Sequence, residues 1–191
     1  MLNAAVFLDR DGTINEDPGY LGNPNEVKLY PGIGEALAFL KNILNLKLIV
    51  ISNQSGIARG ILTKEMVNSV NDKINELLSE FNVKIDAFYY CPAHPDFSSE
   101  SECSCRKPSA EMVFKAAEKF NLDLSKSYFV GDMITDIQCG INAGLKTILV
   151  KTGFGAESFS ILKKQNIFAT FVAENIQEVS TFIHKDFIGD K

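Results

Sequence analysis

Apolar runs of strand length alternate along the chain with stretches whose apolar positions recur every three or four residues. Residues 4–8, 46–51, 85–90, 128–130 and 147–150 read as strands, with 170–172 as a short sixth. Between them, 33–44 places Ile33, Leu37, Leu40 and Leu44 on one helical face. Residues 64–81 carry Val67, Val70, Ile74, Leu77, Leu78 and Phe81 on a second stripe, with Thr63 as N-cap. Ser109 is placed to cap a helix reaching Phe120, a short helix spans 136–143, and Asn175 with Glu178 forms a capping box for a helix over 176–184. Alternation of this kind predicts an α/β fold: a Rossmann-like, mainly parallel sheet with helices on both faces. One interval breaks the rhythm. Residues 91–108 (CPAHPDFSSESECSCRKP) are polar, proline-punctuated and long for a connection.

In an open parallel sheet, ligands bind beyond the carboxyl ends of the strands. Here those ends carry Asp9-Arg10-Asp11-Gly12-Thr13, Ser52-Asn53-Gln54-Ser55-Gly56, Cys91 and Gly131-Asp132. Four strand ends would thus deliver carboxylates, hydroxyls, amides and a thiol to one edge.

Composition narrows the setting. The 191 residues match one domain, expected over 1–191, and no linker-like tract divides them. Nineteen basic against 24 acidic residues leave no electrostatic footprint for nucleic acid. The longest uncharged stretch, residues 48–58, is too short to span a bilayer. No basic leader precedes Asp9, so a cytoplasmic location is expected, and in that compartment clustered thiols point to metal or catalysis before disulfides.

Asp9 and Asp11 lie two residues apart, so an extended backbone turns both carboxylates to one side. Such a pair is costly unless a cation sits between the carboxylates or one is protonated. It can divide the roles of nucleophile and general acid/base. Taken alone, D-x-D-G-T is equally a turn after a strand.

The wider context resembles the haloacid dehalogenase-like hydrolases, whose phosphatases carry D-x-D-G-T/V at the end of the first strand. FLDRDGTIN (7–15), Ser52, Lys107 and Gly131-Asp132 with Asp136 match four motifs of that superfamily in order. The resemblance implies that Asp9 attacks phosphorus, and that Asp11 protonates the leaving alkoxide and later deprotonates water. It also implies that Ser52 and Lys107 contact the phosphoryl oxygens. Mg²⁺ would be held by Asp9, the Asp11 carbonyl and Asp132, a hard oxygen set. Asp136, one helical turn beyond Asp132, is either a further ligand, a group behind the ligands or an exposed helix acid.

Cys91, His94, Cys103 and Cys105 offer four donors within fifteen residues, a set suited to a structural Zn²⁺ that would clasp a loop too polar to fold by packing. A disulfide is the competing reading; cytosolic redox poise and the one-residue spacing of Cys103 and Cys105 argue against it. The loop resembles that of the small, cap-less branch containing the heptose bisphosphate and histidinol phosphate phosphatases, which ends in C-x-C-R-K-P, here 103–108. That branch usually carries C-P-H. Here Ala93 stands at the histidine position, and His94 is the available substitute.

The string NQSGIARG (53–60) and the pair Gly19-Tyr20 favour the heptose side of that branch. Its implied reaction is removal of the 7-phosphate from a heptose 1,7-bisphosphate, on the route to nucleotide-activated heptose for surface polysaccharide. Histidinol-phosphatase and a catalytically silent module are the alternatives. Substrate contacts are expected from Asp17, Gly19, Tyr20, Asn53, Gln54, Ser55 and Arg106, whose guanidinium suits bidentate phosphate binding. The expected partner is a small sugar phosphate, with no nucleic acid, no membrane and a monomeric chain. Arg59 is either solvent-facing or near substrate. Cys139 reads as a small buried residue, and His184 as a cation near a helix C-terminus.

Overall fold

The computed structural model describes residues 3–189. Six strands, β1 (Ala5–Leu8), β2 (Lys47–Asn53), β3 (Ala87–Cys91), β4 (Tyr128–Gly131), β5 (Lys146–Val150) and β6 (Phe171–Ala173), form one sheet in the order β3-β2-β1-β4-β5-β6. Every pairing is parallel. The helices are α1 (Ile33–Ala38, wound on as a π-helical turn through Phe39–Ile43), α2 (Lys64–Ser79), α3 (Glu100–Cys103), α4 (Glu111–Phe120), α5 (Ile134–Asn142), α6 (Gly155–Lys164) and α7 (Ile176–Gly189).

Period-two alternation sorts the strands' side chains onto two cores. Val6, Leu8, Leu48, Val50 and Val130 face α1, α2 and α7, where Leu37, Ile74 and Ile183 meet them. Ala5, Phe7, Ile49, Ile51 and Phe129 face α4 and α5, against Val113, Ala116 and Cys139. The four inner strands are therefore buried on both sides, which is why they read as unbroken apolar runs. Among the described residues no helix is long and apolar enough to cross a membrane.

The expected sheet and most expected helices are present, and the departures are local. Thr63 caps α2, accepting from the Met66 amide at 3.2 Å. Ala110, not Ser109, sits at the N-cap of α4, although the Ser109 hydroxyl still accepts from the Glu111 amide. Asn175 accepts from the Glu178 amide, but the Glu178 carboxylate turns to the amide of Glu174, so only half a capping box forms. Helix α6 has no counterpart in the hydropathy pattern. Its buried residues are Gly155, Ser158 and Leu162, too few and too polar to leave an apolar stripe.

Strand order reverses between β1 and β4, the two neighbours at the centre of the sheet. A crevice opens beyond the carboxyl ends of strands at such a switch. Asp9 follows β1 and Asp132 follows β4, so the topology alone sets these two carboxylates side by side.

Candidate active site

A cleft of about 250 Å³ occupies that position. It is lined by Asp9, Asp11, Ser52, Lys107 and Asp132, and also by Asp17, Gly19, Tyr20, Asn53, Gln54, Ser55 and Arg106. Residues more than a hundred positions apart thus converge on one volume. Met133, Thr135 and Phe154 line it as well. The first two fall inside the G-D-x-x-x-D run, and Phe154 follows β5, so extending the strand-end rule to the fifth strand finds it.

The chemical centre is buried and charged. Lys107 lies 2.8 Å from Asp9 Oδ1 and 2.7 Å from Asp136 Oδ1, and donates to the Ile51 carbonyl at 2.8 Å. Burial works against its ammonium, yet Asp136 and Asp9 more than offset that cost and its pKa is raised. Burial also raises the pKa of Asp9 well above its ordinary value, with repulsion from Asp136 adding and Lys107 opposing. Asp132 is pushed up to about 7 by burial and then by Asp136, against a hydrogen bond from the Phe154 amide.

Oxygen atoms of Asp9, Asp132 and Asp136 lie within 4.8 Å of one another, the one such convergence of His, Cys, Asp or Glu among the described residues. Three carboxylates face one ammonium. The surplus negative charge and the all-oxygen donor set fit a hard divalent cation such as Mg²⁺. Asp136 is the least available of the three: one oxygen pairs with Lys107 and the other accepts from the Met133 amide at 2.9 Å. It orients the lysine.

The surrounding backbone leaves little freedom. Gly12 has φ +85°, and a Cβ there would run into the Asp132 carboxylate, so only glycine serves. Asp132 also accepts from Thr13 Oγ1 at 3.3 Å. Asp11 is held by Arg10, by Asn15 at 2.9 Å and by Gln54 at 2.9 Å. Gln54 donates to Ser52 Oγ as well, at 2.8 Å. Asn53 lines the cleft, and its amide also brackets the lysine backbone, accepting from the Lys107 N–H at 3.0 Å and donating to the Lys107 carbonyl at 3.3 Å. Asp17 accepts from the Gly19 amide at 2.7 Å, folding the segment that presents the half-exposed Tyr20.

The cysteine loop departs from expectation. Cys91 and Cys105 are joined by a disulfide, and Cys103 is free. The expected tetrahedral Zn²⁺ set of Cys91, His94, Cys103 and Cys105 is not assembled in this form, because two of its four sulfur and nitrogen donors are bonded to each other. The chain path explains the change. β3 ends on the buried Cys91, and the return through α3 lays Cys105 back over it with a Cα separation of 5.5 Å, inside disulfide reach. His94 is engaged elsewhere, with Nε2 at 2.8 Å from an Arg59 terminal nitrogen and Nδ1 at 3.6 Å from the Asp96 carboxylate. Arg59 also stacks over Phe97, 4.9 Å from the ring centre. It faces the loop, an arrangement that its place in the sequence left undecided. Arg106 donates to the Ala93 carbonyl at 3.1 Å, and burial lowers its pKa. No carboxylate among the described residues pairs with it, so an anion in the cleft would relieve a cost already present.

Over 185 residues the chain is 43% identical to the D-glycero-D-manno-heptose-1,7-bisphosphate 7-phosphatase of Chlorobaculum tepidum, covering 92% of each. The chain belongs to the haloacid dehalogenase-like hydrolases. The HAD-hydrolase-like family model matches residues 104–179 of this hydrolase. The D-glycero-beta-D-manno-heptose-1,7-bisphosphate 7-phosphatase of Escherichia coli K12 is 39% identical over 153 residues, covering 78% of the chain and 80% of the relative. Among solved structures, D,D-heptose 1,7-bisphosphate phosphatase from B. bronchiseptica, in complex with magnesium and phosphate, superimposes with a TM-score of 0.85 at 30% identity, covering 96% of this hydrolase and 99% of that chain.

Proposed function

We propose that this hydrolase is a Mg²⁺-dependent phosphatase that removes the 7-phosphate of D-glycero-D-manno-heptose 1,7-bisphosphate. The observation that carries the chemistry is the convergence of Asp9, Lys107 and Asp132 at the β1/β4 switch point, with Asp11 beside them. The sugar rests on the named relatives.

Asp9 attacks phosphorus, forming an Oδ–P bond as the bond from phosphorus to the sugar oxygen breaks. Asp11 gives its proton to that oxygen. The same carboxylate then takes a proton from water as the water oxygen attacks the aspartyl-phosphate, and Asp9 and phosphate are regenerated. Lys107 keeps Asp9 in place and offsets charge on the phosphoryl oxygens, which the Ser52 hydroxyl also contacts. Asp9 and Asp132 would hold Mg²⁺ with the Asp11 carbonyl; when bound, the ion neutralises the carboxylate cluster and the incoming phosphate. Arg106 and the Asp17–Tyr20 segment contact the rest of the substrate, with Ser55, Asn53 and Gln54 forming the floor. A dissolved sugar bisphosphate as substrate suits the cytoplasm.

The test compares kcat/KM for both anomers of the heptose bisphosphate and for histidinol phosphate with Mg²⁺ in excess. Preference for a heptose bisphosphate is expected. A preference for histidinol phosphate would overturn the substrate, and no turnover of any phosphoester would overturn the activity.

A further inference from the structure

We infer that Asn71, on α2 and outside the cleft, is a positioning residue for the general acid/base: it holds Arg10, and Arg10 holds the carboxylate of Asp11. This inference rests on the role given to Asp11 above.

Arg10 is the largest fully buried side chain among the described residues, 1% exposed. A guanidinium so placed is costly unless each edge meets an acceptor. One edge faces Asp11: Nε donates to both carboxylate oxygens at 3.1 Å, and one terminal nitrogen, without a hydrogen-bond partner of its own, forms an ion pair 2.8 Å from Oδ2. The other terminal nitrogen donates to Asn71 Oδ1 at 3.1 Å.

Asn71 is itself buried, at 6% exposure, on a helix face otherwise made of Val67, Val70, Ile74 and Leu78. Helix packing alone favours an apolar side chain there. An amide in that row supplies what an apolar residue cannot, an acceptor aimed at the guanidinium. With one terminal nitrogen anchored on α2, the planar fork cannot turn about its own stem, and its plane is imposed on Asp11. Asn15 and Gln54 each donate to the same carboxylate.

The consequence falls on one step. As the Asp9–phosphorus bond forms and the bond to the leaving oxygen breaks, an alkoxide needs the Asp11 proton, whereas the weakly basic p-nitrophenolate leaves without it. A loosened Asp11 therefore slows sugar esters more than p-nitrophenyl phosphate. Mere damage to the core slows both alike.

The experiment measures single-turnover release of the leaving group from the heptose bisphosphate and from p-nitrophenyl phosphate, with Mg²⁺ saturating. Asn71→Leu, which removes the acceptor, is expected to slow the sugar ester about tenfold or more and p-nitrophenyl phosphate less than about threefold, with KM little changed. Asn71→Asp, which keeps an acceptor oxygen, is expected to restore the sugar-ester rate. If circular dichroism shows Asn71→Leu unfolded, Arg10→Lys, which lacks the fork, carries the same expectation. Equal losses on both esters, no loss on either, or failure of Asn71→Asp to rescue would overturn the inference. Asp11→Asn is the control. If it shows no leaving-group selectivity, the role of Asp11 falls and this inference with it. If it is selective while Asn71→Leu is not, this inference alone fails.

Discussion

The cleft and the cysteine loop are neighbours built on opposite terms. At the cleft, carboxylates are fixed by strand register: Asp9 and Asp132 extend the paired strands β1 and β4, and Lys107 is wedged between Asp9 and Asp136. In the loop, residues 91–105 rest on the core through Cys91 and Ala93, and beyond that packing their arrangement depends on one covalent link and on the Arg59–His94–Phe97 cluster. The first region imposes geometry on residues that would otherwise repel. The second takes its geometry from whichever donors the chain path brings together.

The largest expected effect lies at the cleft. Asp9→Asn should reduce turnover by about a thousandfold or more, read as phosphate release, because it removes the nucleophile while keeping the shape. Near-wild-type release from this variant would end the nucleophile assignment. Lys107→Met should nearly abolish activity and also destabilise the fold by about 3–5 kcal/mol, since it leaves Asp9 and Asp136 buried without their cation. A denaturant midpoint equal to that of wild type would show that the cleft does not depend on this pairing.

Asp132 gives an effect of intermediate size with a defined sign. Its folded pKa, about 7, lies above its unfolded value, so protonation favours the folded state. The stability this gives is full below the unfolded pKa and is lost as pH rises through about 7. Without Mg²⁺, Asp132→Asn should therefore melt above wild type at pH 8, and the difference should shrink toward pH 5. Added Mg²⁺ should raise the wild-type melting temperature at pH 8 and leave the variant little changed. A gain independent of pH would place the effect in packing instead of charge.

The smallest effects belong to the loop. In protein prepared without reductant, two of the four cysteines should react with a thiol reagent after denaturation, with no stoichiometric zinc by metal analysis. Four reactive thiols and one bound zinc would restore the metal clasp and dissolve the contrast between the regions. Arg59→Ala should raise KM for the sugar bisphosphate by only a few-fold, through a loosened loop and the Arg106 it carries.

The difference between the regions also explains what the sequence makes legible. Strand ends are readable because period and burial leave one choice of face: Asp9, Ser52 and Asp132 can be placed at one edge from the apolar runs before them. Helix α6 is hidden because Gly155 and Ser158 face inward where an apolar residue would have marked the stripe. Asn53 illustrates a subtler limit. An amide beside an active site suits a sugar hydroxyl and a backbone bracket equally, and only the position of Lys107, 54 residues away, reveals the bracket.

What the sequence determined by itself is the layered α/β architecture and the chemistry at its carboxyl edge, because both follow from local periodicity and from residue types adjacent to strands. The partner of each polar group was decided by the tertiary structure. Asp136 faces Lys107 and Asn71 faces Arg10 across long stretches of chain, and Cys91 meets Cys105 across the loop between them. Such pairings depend on distances of a few ångströms between segments that local pattern does not relate, and burial then makes each of them obligatory.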